Sequence, residues 1–161
     1  MTGLYIHVPL CISRCRYCDF YKMTPNEWDD VSLFLQCLDD ELGRLPADFA
    51  PDTVFIGGGT PTALQPDAYA EMLDAIRRRI NLSNVQEFTS EANPGTLTKD
   101  KLAVMRGGGV NRISIGVQTF NEKALRLLGR AHSQQQAIEG YRMLREAGFD
   151  NVNIDLIQSI P

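Results

Sequence analysis

The chain contains no long apolar run and no run of like charges, and its first residues lack the features of an export signal. No stretch approaches the roughly 20 apolar residues that a membrane-spanning helix needs. The first residues carry neither a basic start nor a small-residue cleavage site, so we expect no signal peptide and a cytoplasmic protein. The net charge is −4, from 16 Lys and Arg against 20 Asp and Glu, and no broad binding to nucleic acid is expected.

Cysteine is scarce and unevenly placed. Three of the four cysteines, Cys11, Cys15 and Cys18, stand close together in the run CISRCRYCDF. Without an export signal, a metal or cluster site explains this crowding better than disulfides do. The spacing C-x3-C-x2-C lets one loop hold three corners of a [4Fe–4S] cluster. Since such a cluster needs four ligands, one iron would stay open to an external ligand.

A zinc site is the alternative to a cluster, with His7 or Cys37 as its fourth ligand. Cys37 falls inside an apolar helical pattern, which predicts a buried thiol in the core. His7 lies in a predicted strand, where we expect a hydrogen-bonded structural histidine. The sequence therefore favours the cluster over zinc.

Short β-rich runs alternate with helical patterns along the chain. Strands are predicted at residues 4–8, 53–56, 85–91, 112–117 and 152–157. Helices are predicted around residues 31–42, 69–80, 98–106, 123–128 and 133–147. This alternation predicts right-handed βαβ units and a parallel sheet, in one α/β domain that spans residues 1–161.

Glycine-rich and polar motifs follow the predicted strands. They are the cysteine loop, GGGTPT (57–62), EANP (91–94), QTFN (118–121) and the end of NIDLI (153–157). Because the carboxyl ends of parallel strands meet at one edge of a sheet, we expect these motifs to form one site. GGGTPT is not a Walker loop, since no Gly-Lys-Ser/Thr follows it.

Several side chains in these motifs have both a binding and a purely structural interpretation. Glu91 is either a ligand-binding carboxylate or a helix-capping or surface carboxylate. Gln118 can donate and accept hydrogen bonds to a ligand or to the backbone. Arg130, in LGRAH, suits a carboxylate partner or a surface ion pair. Asp155 lies in an apolar strand, where an unpaired acid is costly, so it binds a ligand or caps the strand end. We assign no role to His132 or to the basic run 77–79, which is expected to be a solvated helix face.

The runs LYIHVPLCISRCRYCDF, VFIGGGTPT, EANPG, RISIGVQTFN, LGRAH and NIDLI together resemble the radical S-adenosylmethionine (SAM) superfamily. Within it they resemble the branch of oxygen-independent coproporphyrinogen III oxidase, and most closely the haem chaperone (HemW-type) family. The resemblance runs essentially end to end. It implies a parallel-sheet partial (β/α) barrel, of which about five βα units are present and the family's C-terminal part is absent, so the chain is expected to be the N-terminal portion of a longer protein.

The resemblance also implies the cofactors and their ligands. Cys11, Cys15 and Cys18 would hold a [4Fe–4S] cluster, whose open iron binds the amino and carboxylate groups of SAM. The SAM-binding positions implied are Tyr5, Tyr17, Gly58, Gly59, Thr60, Glu91, Gln118, Arg130 and Asp155. In one branch of the superfamily the last three serve a second SAM molecule, and both stoichiometries stay open. No further catalytic residue is implied.

Two functions remain open from the resemblance. Coproporphyrinogen oxidases carry a further cysteine two residues beyond the third, where this chain has Phe20, and this difference favours a haem chaperone that passes haem to an acceptor protein. The chaperones use C-terminal residues for haem. The alternative is an oxidase that uses a 5′-deoxyadenosyl radical to decarboxylate a porphyrinogen. Either would take electrons from a donor such as flavodoxin or ferredoxin, and whether the chain is an enzyme stays open.

The chain departs from the family pattern in two places. PLC replaces the usual PFC around Leu10, which is a mild packing change. DLIQSIP replaces a pattern with an aromatic residue and a glycine, so Gln158 and Ser159 stand where a flexible turn is expected, beside Asp155.

Overall fold

A five-stranded parallel sheet forms the centre of the computed structural model, which describes residues 1–27 and 30–159. The sheet order follows the chain, and each neighbouring pair is parallel. The strands are β1 (Gly3–Val8), β2 (Thr53–Gly58), β3 (Glu87–Ala92), β4 (Arg112–Gln118) and β5 (Asn151–Leu156). The helices are α1 (Val31–Leu42), α2 (Pro66–Arg79), α3 (Lys99–Gly107), α4 (Glu122–Leu128) and α5 (Gln134–Glu146).

The predicted α/β class with a parallel sheet is confirmed, and the predicted elements are all present. Two short 3-10 helices, Pro61–Ala63 and Pro94–Thr96, follow β2 and β3. The Thr98 side chain accepts a hydrogen bond from the Lys101 amide, so it caps α3 as expected. The predicted domain range also includes residues 28–29 and 160–161, which lie outside the described residues.

The core lies between the sheet and its helices. β-branched side chains of the inner strands, such as Ile56, Ile113 and Ile115, are fully buried there. From α2, the buried Tyr69 donates its hydroxyl to Ser90 Oγ at 2.7 Å, which satisfies its one polar atom. Because all five strands are parallel, their carboxyl ends lie together at one end of the sheet and form its carboxyl rim.

The sheet has two edges, β1 and β5. Ile154 and Leu156 on β5 are 39% and 59% exposed.

Among the helices of residues 1–27 and 30–159, none has the length and apolar character required to span a bilayer.

Candidate functional site

A cavity of about 240 Å³ opens at the carboxyl rim of the sheet. It is lined by residues of the cysteine loop and by the ends of β2, β3, β4 and β5. All the predicted site residues except Tyr5 line it: Cys11, Cys15, Tyr17, Cys18, Gly58, Gly59, Thr60, Glu91, Gln118, Arg130 and Asp155. The structure therefore brings together motifs that are as much as 144 positions apart in the sequence (155 − 11).

The three cysteines of the loop are free thiols on the cavity wall. Cys11 is buried, while Cys15 and Cys18 are half-buried. Burial raises the pKa of Cys11, whereas a hydrogen bond with Thr60, whose Oγ1 lies 3.6 Å from Sγ, and the nearby Lys22 ammonium lower it. In the described part of the chain, no group of three or more His, Cys, Asp or Glu side chains is arranged to hold a metal ion.

Arg130 joins the cysteine loop to the end of β4. One terminal nitrogen donates to Cys15 Sγ and to Tyr17 Oη, both at 3.3 Å. The other donates to the carbonyl of Gly116 at 2.6 Å. Among the residues that the structure describes, Arg130 has no carboxylate partner for the surface ion pair that was its structural alternative, and its partners are a thiol, a hydroxyl and a carbonyl. Burial raises the pKa of Tyr17 to about 12, against the opposing effect of the Arg130 charge, so Tyr17 stays neutral.

The triple glycine brings backbone close to Glu91. The amide of Gly58 donates to Glu91 Oε2 at 2.9 Å. A Cβ at Gly57 would stand 2.8 Å from the same oxygen, so a side chain there would displace the Glu91 carboxylate. Burial raises the pKa of Glu91, and the Gly58 hydrogen bond opposes this shift. Glu91 is thus a half-buried carboxylate held in one orientation at the cavity.

Asp155 is oriented by two neighbours that sequence analysis did not identify. Ser114 Oγ donates to its carboxylate at 3.1 Å, and Asn153 Nδ2 donates to it at 2.7 Å. Asn153 also donates to Ser114 at 2.9 Å, so the three side chains form one network. The period of two along a strand puts Ser114 on the face of Gln118, and Asn153 on the face of Asp155. The alternation of side chains along the strands could therefore have identified Ser114 and Asn153 as neighbours of the site.

Within residues 1–27 and 30–159, two residues other than glycine adopt left-handed backbone conformations, and both lie near the rim. Gln118 has φ 67° at an irregularity in the pairing of β4 with β5, and its carbonyl accepts from Ile157. Ser159, at the position where the family pattern has glycine, has φ 57°. Strained backbone of this kind costs of order 1–3 kcal/mol and is concentrated at functional sites. The turn expected after Asp155 is therefore made here without glycine.

A buried lysine ties two site loops together, and sequence analysis missed it. Lys101, on α3, is 4% exposed, and its ammonium donates to the carbonyls of Thr62 at 2.6 Å and Thr96 at 2.8 Å. The hydroxyls of Thr62 and Thr96 also hydrogen-bond to each other at 2.6 Å. Burial lowers the pKa of Lys101. The loop after β2 and the loop after β3 are therefore fixed to each other by one side chain.

We expect Lys101→Met to loosen these two loops. The substitution removes both donors from carbonyls inside the protein, so the free energy of unfolding should fall by about 1–3 kcal/mol in urea denaturation. The matched control is Lys99→Met, since Lys99 is exposed on the same helix and should leave stability unchanged. Equal stability of the two variants would show that the ammonium does not hold the loops.

His132 is a buried histidine below the end of β4. It is 4% exposed, and its Nε2 lies 3.2 Å from the carbonyl of Val117, directly before Gln118. Its Nδ1 has no partner in the described structure. Burial, followed by the nearby Arg130 charge, lowers the pKa of His132 to about 4, while Val117 and Glu122 act in the opposite direction. His132 is therefore neutral at pH 7 and supports the strained strand end, although the sequence had given it no role.

The low pKa of His132 predicts acid sensitivity. The folded-state value of about 4 lies below the ordinary value of 6.5, so the unfolded chain binds the proton more tightly. Its contribution is fully present above pH 6.5 and is lost as pH falls from 6.5 to 4, to a total of about 1–3 kcal/mol. His132→Asn should flatten this part of the curve of unfolding free energy against pH. An unchanged curve would contradict the prediction.

Tyr5 lies outside the cavity. It is on the edge strand β1, 54% exposed, with its ring stacked on Phe55 and its hydroxyl 3.1 Å from His7 Nδ1. His7 also contacts the carbonyl of Tyr21 through Nε2 at 2.9 Å, which is the hydrogen-bonded role expected for it. Tyr5 is therefore not part of the cavity lining, although its hydroxyl lies near enough to Glu91 for that carboxylate, after burial, to raise the pKa of Tyr5.

The prediction that Cys37 is a buried thiol is wrong. Cys37 is exposed on α1, whose buried positions are Leu35, Leu38 and Leu42. Position 37 lies off the stripe that those leucines form at helical spacing. The run 77–79 is solvated as expected, and there Arg78 and Arg79 pair with Asp39 of α1.

Known proteins resemble this chain along nearly its whole length. The sequence model described as "Radical SAM superfamily" matches residues 5–159. "Heme chaperone HemW" of Bacillus subtilis is 39% identical over 165 residues, which cover 100% of this chain and 43% of the relative. The Escherichia coli protein of the same name is 40% identical over 164 residues, covering 99% and 43%. The chain thus spans less than half the length of these relatives.

A solved structure gives the same result for the fold. Coproporphyrinogen III oxidase (HemN) from Escherichia coli, described as a radical SAM enzyme, superposes with a TM-score of 0.88 at 30% identity. The match covers 99% of this chain and 37% of that one. The predicted partial barrel is therefore confirmed by a close structural relative.

Proposed function

Because this chain belongs to the radical SAM superfamily, we propose that it binds a [4Fe–4S] cluster through Cys11, Cys15 and Cys18, and SAM beside it. The observation that carries the proposal is that three free thiols share one cavity with motif residues from four strand ends. A thiol-rich donor set suits an iron–sulfur cluster. When bound and reduced, the cluster supplies the electron that cleaves the sulfonium of SAM.

The protein's own residues bind and orient the cofactor in this proposal. Glu91, held by the Gly58 amide, accepts hydrogen bonds from an ammonium or from ribose hydroxyls. Asp155 offers a second fixed carboxylate, because Asn153 and Ser114 occupy part of its acceptor capacity and set its rotamer. The glycine loop leaves room for a ligand to approach the backbone closely.

We further propose that the intact protein is a haem chaperone. The support is the name of the relatives at 39% and 40% identity, and Phe20, which replaces the additional cysteine of the oxidases. Phe20 is 66% exposed at the cavity, so a thiol there would have faced the ligand. Haem, an acceptor protein, a flavodoxin-like or ferredoxin-like electron donor and a cytoplasmic location belong to this proposal.

The second candidate is an oxidase of the coproporphyrinogen type. The observation in its favour is the likeness to the oxidase structure at a TM-score of 0.88. The two candidates share the cluster and SAM, and they differ in whether a porphyrinogen is consumed.

Anaerobic reconstitution with iron and sulfide tests both candidates. We expect a [4Fe–4S] absorbance and EPR spectrum, SAM binding by equilibrium dialysis, and little 5′-deoxyadenosine with coproporphyrinogen present. Steady 5′-deoxyadenosine release with consumption of coproporphyrinogen would favour the oxidase. Absence of any cluster would overturn the proposal.

A further inference from the structure

Arg130 makes a contact that cofactor binding alone does not require. Its terminal nitrogen lies 3.3 Å from Sγ of Cys15, a normal distance for a hydrogen bond to sulfur. A thiolate that coordinates iron still has lone pairs that accept such a bond. The contact therefore persists as an interaction with a cluster ligand if Cys15 holds iron as proposed.

The guanidinium is fixed at this place by the backbone. Its second terminal nitrogen donates to the Gly116 carbonyl at 2.6 Å on β4. The Arg16 amide donates to the Leu128 carbonyl at 2.9 Å, which joins the cysteine loop to the end of α4. Gly129, between Leu128 and Arg130, turns the chain with φ 71°. A Cβ at this glycine would stand 3.2 Å from the carbonyl of Arg14. The turn after α4 and its contact with the cysteine loop therefore hold Arg130 close to Cys15.

We propose that Arg130 raises the reduction potential of the cluster through its hydrogen bond to the Cys15 sulfur. This inference rests on the proposed function. Reduction takes the cluster from the 2+ to the 1+ state with one electron from a low-potential one-electron donor, and no bond forms or breaks. The added electron increases the negative charge on the sulfur ligands. A cationic donor fixed on one of them stabilises the reduced state more than the oxidised state.

The contrasting role for Arg130 is binding of the SAM carboxylate only. A residue with that role influences the cluster only when SAM is present. The hydrogen bond to Cys15 acts with or without SAM, because both partners belong to the protein. The potential of the SAM-free cluster therefore distinguishes the two roles.

A dye-mediated redox titration of the reconstituted, SAM-free protein, followed by EPR of the reduced cluster, makes this measurement. At a fixed potential, Arg130→Gln should lower the ratio of reduced to oxidised cluster about tenfold, which corresponds to about 59 mV for a one-electron couple. Arg126→Gln is the matched control, since Arg126 lies on α4, four residues before Arg130, with its side chain 69% exposed, and should leave the ratio unchanged. An Arg130→Gln ratio equal to that of the parent overturns the proposal.

A second variant covers the case in which Arg130→Gln assembles no cluster. Arg130→Lys keeps the charge but has no planar fork to reach Cys15 and Gly116 together, so its ratio of reduced to oxidised cluster should lie below that of the parent. A parent-like ratio in Arg130→Lys would then overturn the proposal. Failure of the parent protein itself to assemble a cluster is a different result, because it removes the proposed function and not only the role of Arg130.

Discussion

After anaerobic reconstitution, the Cys18→Ser variant is expected to show almost no cluster absorbance. The Cys37→Ser variant should assemble the cluster to the same extent as the parent chain. Serine keeps the shape of the side chain, but its hydroxyl is neutral at pH 7 and is a poor substitute for a thiolate on iron. With Cys18 replaced, two protein thiolates remain on the cavity wall instead of three. Iron and acid-labile sulfide content, together with the visible spectrum, measure the loss.

Cys37 is a suitable control because it is exposed on α1 and does not line the cavity. Both variants should retain the unfolding free energy of the apo parent within about 0.5 kcal/mol, as surface substitutions usually do. A Cys37→Ser protein without a cluster would return Cys37 to the ligand set. A Cys18→Ser protein with a full cluster would remove Cys18 from it.

Gly58→Ala is expected to damage both the fold and the site. Gly58 has φ 102°, where an L-residue is strained, and a Cβ there would stand 2.4 Å from the ring of His7. Backbone strain and overpacking each cost about 1–3 kcal/mol, so we expect the free energy of unfolding to fall by about 2–4 kcal/mol. To relieve the clash, either the glycine loop or β1 has to move. The hydrogen bond from the Gly58 amide to Glu91 is then weakened or lost. SAM binding to the reconstituted protein should weaken by about 10-fold to 100-fold, because loss of a hydrogen bond to a charged group costs about 1.5–3 kcal/mol.

The matched control is Gly107→Ala at the end of α3, where a Cβ would meet nothing within 4 Å. That variant should be as stable as the parent or slightly more so, since alanine favours helix over glycine. Urea denaturation of the apo proteins and equilibrium dialysis of SAM against the reconstituted ones give the two readouts. A Gly58→Ala protein that matches Gly107→Ala in both would show that the loop tolerates a side chain.

Periodicity and capping patterns predicted most of the fold. Apolar residues at helical spacing located α1 and α2, and Thr98 marked the start of α3 because a capping hydroxyl is a local feature. No strand boundary lies more than two residues from prediction, and a difference of two occurs at the end of β2, at Gly58, and at the start of β3, at Glu87. Pairing with β2 decides the start of β3, since Thr53 lies opposite Glu87. The local sequence pattern of a strand does not show which residues of the neighbouring strand it will pair with.

The cavity was predictable in outline because strand direction fixes which motifs share an edge. A parallel sheet carries all five strand ends to one rim, so motifs that follow strands converge without further information. Tyr5 shows the limit of that argument. It precedes the end of β1 by three residues, and its side chain lies on the edge strand rather than in the cavity.

The sequence alone established the α/β class, the element order, the three-cysteine loop and the family, because each depends on local spacing or on short motifs. The tertiary structure decided the burial of Lys101, the exposure of Cys37, the network around Asp155 and the contact of Arg130 with Cys15. These features depend on distances between residues far apart in the chain. Arg130 and Cys15 are 115 positions apart, and only the packing of the α4 end against the cysteine loop brings a guanidinium to that sulfur.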